Sequence, residues 1–299
     1  MADRYISANA YCRHIFGEKV YKLALSASVS CPNRDGRLDT RGCIFCSRGG
    51  SGDFAASAGL SLDEQIESAK KTLGKKGEGL KYIAYFQSFT GTYGDLERLE
   101  RIYTESAEHE GIVGVSVATR PDCLGEKELA MLERLSRKTT LWVELGLQTI
   151  HKKTADYIRR GYELACYDWA MDALSALPVH RITHVILGLP GESREEMLET
   201  VRYAGQRTDG IKLQLLHVLE DTDLAEDYRA GKFRTLGLDE YCDIAAEAVK
   251  LLPENVVIHR LTGDGAKKDL IAPLWSGDKK RVLNRINAVM RSKGISPEI

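Results

Sequence analysis

Cys31, Cys43 and Cys46 lie in the stretch SCPNRDGRLDTRGCIFCSRGG, residues 30–50, which carries three of the chain's seven cysteines. Their C-x11-C-x2-C spacing sets two thiolates three residues apart, while the third arrives from the far end of a loop. Four such ligands would close a tetrahedral zinc site; three leave a coordination position open, where chemistry can occur. Four readings compete. The thiols could be unrelated. They could bind zinc with His14 as fourth ligand, although the second C-x-x-C or H-x-H half of a zinc module is absent. A redox C-x-x-C of the thioredoxin kind would need no Cys31. A [4Fe–4S] cluster held by three thiolates, with its fourth iron free for a ligand, fits best.

The elements that must position such a loop show in the apolar patterning. Runs rich in β-branched and aromatic residues recur as VYKLALSASV, KYIAYFQSF, IVGVSVATR, TTLWVELGLQ, HRITHVILGLP, IKLQLLHVLE and NVVIHRLTG. Amphipathic segments alternate with them, and Ser61, Asp95 and Ser193 stand where helix N-caps belong. This alternation predicts βα units on a parallel sheet, and six of them can curve into a partial or complete barrel. In such a barrel the functional groups sit at the carboxyl ends of the strands. Those ends carry the unusual residues here: Cys31, then QSFTGTYG, TRPD, ELGLQT, GLPGE and LHVLEDT. The expected organisation is a core of residues 1–219 and a C-terminal α/β extension of residues 220–299 packed on it.

Length and composition agree. The 299 residues are 43% hydrophobic and 28% charged, enough for a large core. No run approaches the roughly 18 apolar residues of a membrane span, and the N-terminus has no apolar block of a secretory kind. The expected compartment is therefore the cytoplasm, where cysteines serve as metal or catalytic thiols or as ordinary buried groups. Net charge is −1, so no overall field announces a polyanionic partner. The C-terminal end is locally basic, and Lys267, Lys268, Lys279, Lys280, Arg281 and Arg285, with Trp275 as a stacking face, are candidates for RNA contact. A solvated helix face is the competing reading.

At this point the residues carry a resemblance. The GCIFC segment looks like the C-x-Φ-C half of the radical S-adenosylmethionine (SAM) cluster motif. CPNRDG before it, with YFQSFTGTYG, ATRPDCL, ELGLQT, RRGY, HVILGLPGES, KLQLLHVLEDTDL and HRLTGD, resembles the Elongator-catalytic-subunit-like branch of that superfamily. The likeness is to its small members of the YhcC/YtqA type and covers roughly residues 15–290. It implies a partial (βα)6 TIM-type barrel, with Cys31, Cys43 and Cys46 on a [4Fe–4S] cluster and SAM on the open iron. It also implies roles along the strand ends. Phe45 would approach the adenine, with Ile186, Leu216 and His217 around it. Gln87, Ser88 and Thr90 would meet the methionine ammonium. Arg120 would hold a carboxylate, or pair with Asp122. Glu144 and Gln148 would bond the ribose.

For substrate, the resemblance implies a tRNA anticodon loop and remodelling at carbon 5 of the wobble uridine. Without an acetyltransferase segment, conversion of a carboxymethylaminomethyl group to an aminomethyl group is the expectation, with a partner tRNA methyltransferase to follow. An external one-electron donor such as flavodoxin or ferredoxin is implied as well. His259, Arg260 and Asp264 are the candidates for substrate chemistry. A radical SAM enzyme acting on a small metabolite or peptide, and a zinc-bound RNA-binding protein, are the alternatives.

Overall fold

The alternation read from the sequence becomes a parallel sheet. A computed structural model describes residues 3–50, 55–74, 80–263, 265 and 267–297. In chain order the strands are β1 (Asp3–Ser7), β2 (Val20–Leu25), β3 (Lys81–Phe86), β4 (Ile112–Thr119), β5 (Thr140–Gln148) and β6 (His180–Leu187). They continue with β7 (Gly210–Leu215), β8 (Val218–Leu219), β9 (Val257–Arg260), β10 (Leu270–Ala272) and β11 (Ile295–Pro297). The helices are α1 (Ala8–Phe16), α2 (Leu62–Leu73), α3 (Leu96–Glu108), α4 (Glu126–Ser136) and α5 (Lys152–Tyr157). After these come α6 (Leu164–Ser175), α7 (Arg194–Gly205), α8 (Asp223–Arg229), α9 (Leu238–Leu251) and α10 (Lys279–Ser292).

Nine strands form one sheet in the order β11-β1-β9-β7-β6-β5-β4-β3-β2, parallel throughout, and β8 pairs antiparallel with β10. Strands β2 to β7 are the six-stranded core of the expected partial barrel. The sheet is open, with β2 and β11 at its edges. Three helix starts follow the capping chemistry of the sequence. Ser61 and Ser193 each close a capping box, with Glu64 and Glu196 respectively, and the Asp95 carboxylate accepts from the Glu97 and Arg98 amides.

Strand alternation divides the core into two faces. On β5, Leu141, Val143, Leu145 and Leu147 point out to the helix layer, joining Met131 and Leu132 of α4 in the main core. Trp142 points inward and packs with Ile83, Ile182 and Cys12 of α1. Helix α1 thus plugs the amino-terminal end of the barrel. The Tyr11 hydroxyl lies 2.9 Å from Nδ1 of His180, Phe16 packs 6.3 Å from Trp142, and Trp142 stacks on His180. Gly114 is small for this reason: a Cβ there would sit 2.4 Å from the Trp142 ring.

Two features differ from the sequence expectation. Strand β1 and the plug α1 were not anticipated, since both are short and precede the first of the apolar runs. The C-terminal extension is also more than a layer packed on the barrel. Its β9 lies between β7 and β1 in the main sheet, and β11 pairs with β1. No described helix is long and apolar enough to cross a membrane.

Candidate active site

The cysteine loop is held mostly by bonds to main-chain carbonyls. Cys46 N–H donates to the Cys43 carbonyl at 3.0 Å, and Arg34 N–H to the Cys31 carbonyl at 2.8 Å. The Arg34 guanidinium donates to the carbonyls of Cys46 and Ser47. Asn33, 2% exposed, donates from its amide to the Arg159 carbonyl at 2.8 Å and the Arg160 carbonyl at 3.2 Å, and lies 3.5 Å from the Cys43 sulfur. Ile44 ties the centre of the loop down, its N–H donating to Ile158 and its carbonyl accepting from Leu224. Asn33 and Arg34 were passed over as site residues in the sequence, although they stand beside Cys31 in CPNRDG.

None of the three thiols is in a disulfide, and all three line one cavity of about 250 Å³ at the carboxyl ends of the strands. A hydrogen bond with Cys46 does most to hold the Cys43 thiol down at about 6; burial opposes it, and Arg120, Asn33 and Arg159 add to it. Positive-φ residues gather here too: Phe89 (φ 56°), Gln148 (φ 62°) and Arg159 (φ 54°). Such strain is characteristic of sites whose geometry is over-determined by their surroundings. Gly50 makes room for Phe89, since a Cβ on it would fall 2.3 Å from that ring.

Most of the expected contacts meet at this cavity. Phe45, Ile186 and Leu216 belong to one apolar cluster and form a wall of it. Gln87, Thr90, Gln148 and His217 also line it. Thr90 is fully buried and, among the described residues, its hydroxyl has no partner, as suits a group awaiting a ligand.

Several expectations change. Ser88 is buried and points away from the cavity, because alternation after β3 turns it opposite to Gln87. For Arg120 the pair with Asp122, one of its two expected roles, is the one found: two 2.8 Å bonds engage its fork at the cavity, where it lies over Tyr162. Burial works against the charge, yet Asp122 holds the guanidinium above its ordinary value. His14 is exposed on α1, at the opposite end of the strands from the cysteines, so it is not a fourth ligand. Among the described residues no three His, Cys, Asp or Glu side chains gather as a site for a single metal ion.

Glu144 departs furthest from expectation. Rather than offering free oxygens to a ribose, it is the centre of a buried charged layer. Its Oε1 accepts from Lys22 Nζ at 2.9 Å and from the Ser116 hydroxyl at 2.7 Å. Its Oε2 lies 2.7 Å from His184 Nε2 and accepts a short bond from Lys212. Lys212 also donates to the Tyr85 hydroxyl at 2.9 Å, and both ammonium groups flank the Tyr85 ring. Burial alone would raise the Glu144 carboxyl, but Lys212, Lys22 and His184 together hold it well below its usual range. Tyr85, Glu144 and His184 are the floor of the cavity.

This layer makes stability pH-dependent. Burial, then the nearby Lys212, push His184 down to about 4, so the folded imidazole is neutral. An unfolded imidazole protonates near 6.5, so between about 6.5 and 4 only the unfolded state takes up the proton. Stability therefore falls as pH drops through that window, by about 2 kcal/mol at pH 5 from His184 alone. His259, half-buried in the sheet, is shifted in the same direction, chiefly by desolvation. Urea unfolding at pH 7.5 and pH 5 checks this, and His184→Gln should flatten the dependence.

The basic C-terminal residues divide. Lys267 and Lys268 sit in an exposed turn beside Gly265, which lines the cavity, and Lys279, Lys280 and Arg281 form the exposed first turn of α10. Arg285 is engaged with Asp239 at 2.7 Å. Trp275 is not a free stacking face: its indole N–H donates to the Leu236 carbonyl at 3.1 Å and its ring packs against Tyr241. Of the three candidates for substrate chemistry, Arg260 reaches the cavity, His259 lies behind it against Gly210, and Asp264 lies outside the described residues.

The family model of the radical SAM superfamily matches residues 37–204, and that of the Radical_SAM C-terminal domain matches residues 208–292. The chain belongs to the radical SAM superfamily. It is 40% identical over 292 residues to the uncharacterized protein YtqA of Bacillus subtilis, covering 97% of this chain and 91% of YtqA. It is 28% identical to a tRNA uridine(34) acetyltransferase of Methanocaldococcus jannaschii, over 68% of this chain and 40% of that one. The structure of Methanocaldococcus infernus Elp3 superposes with a TM-score of 0.68 at 19% identity, over 93% of this chain and 64% of Elp3, which shows the shared fold.

The superfamily implies a [4Fe–4S] cluster and SAM. The residues present fit both: three cysteines outside any disulfide line the cavity, an apolar wall suits a flat ring, and among the described residues the Thr90 hydroxyl has no hydrogen-bond partner. When bound, the pair supplies reductive cleavage of SAM to a 5′-deoxyadenosyl radical.

Proposed function

We propose that this radical SAM enzyme modifies tRNA, remodelling the carbon-5 side chain of the wobble uridine from carboxymethylaminomethyl to aminomethyl. Cys31, Cys43 and Cys46 hold the cluster. Phe45, Ile186 and Leu216 pack on the adenine, while Gln87 and Thr90 meet the methionine end. The observation that carries the radical chemistry is that Cys31, Cys43 and Cys46, none of them in a disulfide, line the same cavity as that apolar wall. For the substrate, support comes from the similarity to a tRNA uridine(34) acetyltransferase. The exposed Lys267, Lys268, Lys279, Lys280 and Arg281 would meet tRNA phosphates. A flavodoxin or ferredoxin supplies the electron, and a tRNA methyltransferase acts on the product.

The test is direct. Reconstituted, reduced enzyme is incubated with SAM and tRNA bearing the carboxymethylaminomethyl group, and the digested nucleosides are weighed by mass spectrometry. Aminomethyluridine, 5′-deoxyadenosine and glyoxylate should rise together, the carboxymethyl carbons leaving as the oxo acid with SAM as the two-electron oxidant and water as the source of its new oxygen. Formation of 5′-deoxyadenosine with every nucleoside unchanged would move the substrate to a small metabolite or peptide.

A further inference from the structure

Strand β9 carries an irregularity with a chemical consequence. It pairs with β7 as Gly210↔Val257 and Ile211↔Ile258, but the next pair is Lys212↔Arg260, leaving His259 as an extra residue. A bulge of this kind re-aims side chains that regular alternation would place on opposite faces. Both His259 and Arg260 therefore turn inward: His259 against Gly210 below, and Arg260 into the cavity. Ile258, between β7 and the helices, joins the outer core.

Arg260 arrives beside a layer that is already rich in cations. Lys22, Lys212 and Arg260 face a single carboxylate, Glu144, whose two oxygens are committed to Lys22, Lys212, Ser116 and His184. The guanidinium itself makes no side-chain hydrogen bond or ion pair among the described residues. A half-buried arginine with an open planar fork is costly unless an anion meets it.

We infer that Arg260 is the docking point for a carboxylate on the substrate, and that it selects a wobble-uridine side chain ending in an acid over the same side chain without one. This rests on the proposed tRNA substrate for its occupant, and on the geometry of β9 and β7 for the dock. A carboxylate matches the guanidinium fork with two parallel hydrogen bonds.

Two probes test this on cluster-loaded enzyme with SAM bound. N-methylglycine, with N-methylethanolamine as its counterpart lacking the acid, is titrated by saturation-transfer NMR into wild type, Arg260→Gln and Arg260→Lys. Wild type should bind the acid, Arg260→Gln roughly 10- to 100-fold more weakly, and Arg260→Lys in between. The second probe is a pair of anticodon stem-loop RNAs carrying carboxymethylaminomethyl- or aminomethyluridine at the wobble position. Wild type should prefer the acid form, and Arg260→Gln should lose that preference with affinity for the aminomethyl RNA unchanged. Equal N-methylglycine binding by wild type and Arg260→Gln overturns the inference. So does a parallel loss of SAM affinity, which would assign Arg260 to the methionine carboxylate. If N-methylglycine depends on Arg260 but the two RNAs bind alike, the carboxylate dock stands and the wobble-uridine reading falls. Unfolding midpoints of the variants confirm that each is folded.

Discussion

Replacing Cys31, Cys43 and Cys46 together by alanine is expected to give a folded protein that retains no iron and forms no 5′-deoxyadenosine above background. The loss should be at least about a thousandfold in rate, equivalent to about 4 kcal/mol of barrier. The fold should survive because bonds that spare the thiols pin the loop: the Ile44 main chain to Ile158 and Leu224, and the Arg34 guanidinium to the carbonyls of Cys46 and Ser47. Asn33 likewise fastens the loop to the Arg159 and Arg160 carbonyls. Single substitutions sharpen the test. Cys123 lies near enough to Cys31 to feel its charge, but burial raises its thiol, which disfavours the thiolate that iron needs. Full iron content in Cys31→Ala would therefore show that Cys123 had been misjudged and that the three-thiol assignment is wrong.

The second large effect is on stability. Glu144→Ala should cost about 3–5 kcal/mol, because it leaves Lys22 and Lys212 in a buried layer with no counter-charge. Glu144 has no exposed side-chain surface, so water does not replace the lost carboxylate freely. Glu144→Gln should also destabilise, since its amide nitrogen would face donors on one side. Removing a cation at the same time, as in Glu144→Gln with Lys212→Met, should recover part of the loss, and a double-mutant cycle in urea measures the coupling. A Glu144→Ala midpoint close to wild type would mean that the layer is solvated and that its charges are not mutually dependent.

The same layer shows why part of the site was hard to read. Lys22 in VYKLAL, Glu144 in LWVELGLQ and Lys212 in IKLQLL are each a lone charge in an apolar strand. That pattern was a usable signal, because a charge in the middle of a buried parallel strand needs a partner. Which charges partner one another depends on the register of β2, β5 and β7. The register sets Lys22 level with Ile83, and Lys212 level with His184. Glu144 was read as a ribose ligand because its strand-end position is visible in one dimension. Its four hydrogen-bond partners are not.

By itself, the sequence determined the βα alternation, the N-caps at Ser61, Asp95 and Ser193, and the gathering of candidate residues at the strand ends. These follow from local rules: helix and strand periods, capping chemistry and the direction of a parallel strand. Tertiary structure decided the remainder. It brought Phe45, Ile186 and Leu216 into one wall, turned Ser88 away, closed Arg120 on Asp122, and moved His14 to the far end of the barrel. It also wove β9, β1 and β11 into one sheet and placed the bulge that turns Arg260 into the cavity. Those outcomes depend on which distant segments pair and in what register, and hydrogen bonding between strands far apart in the chain is the physical event that decides it.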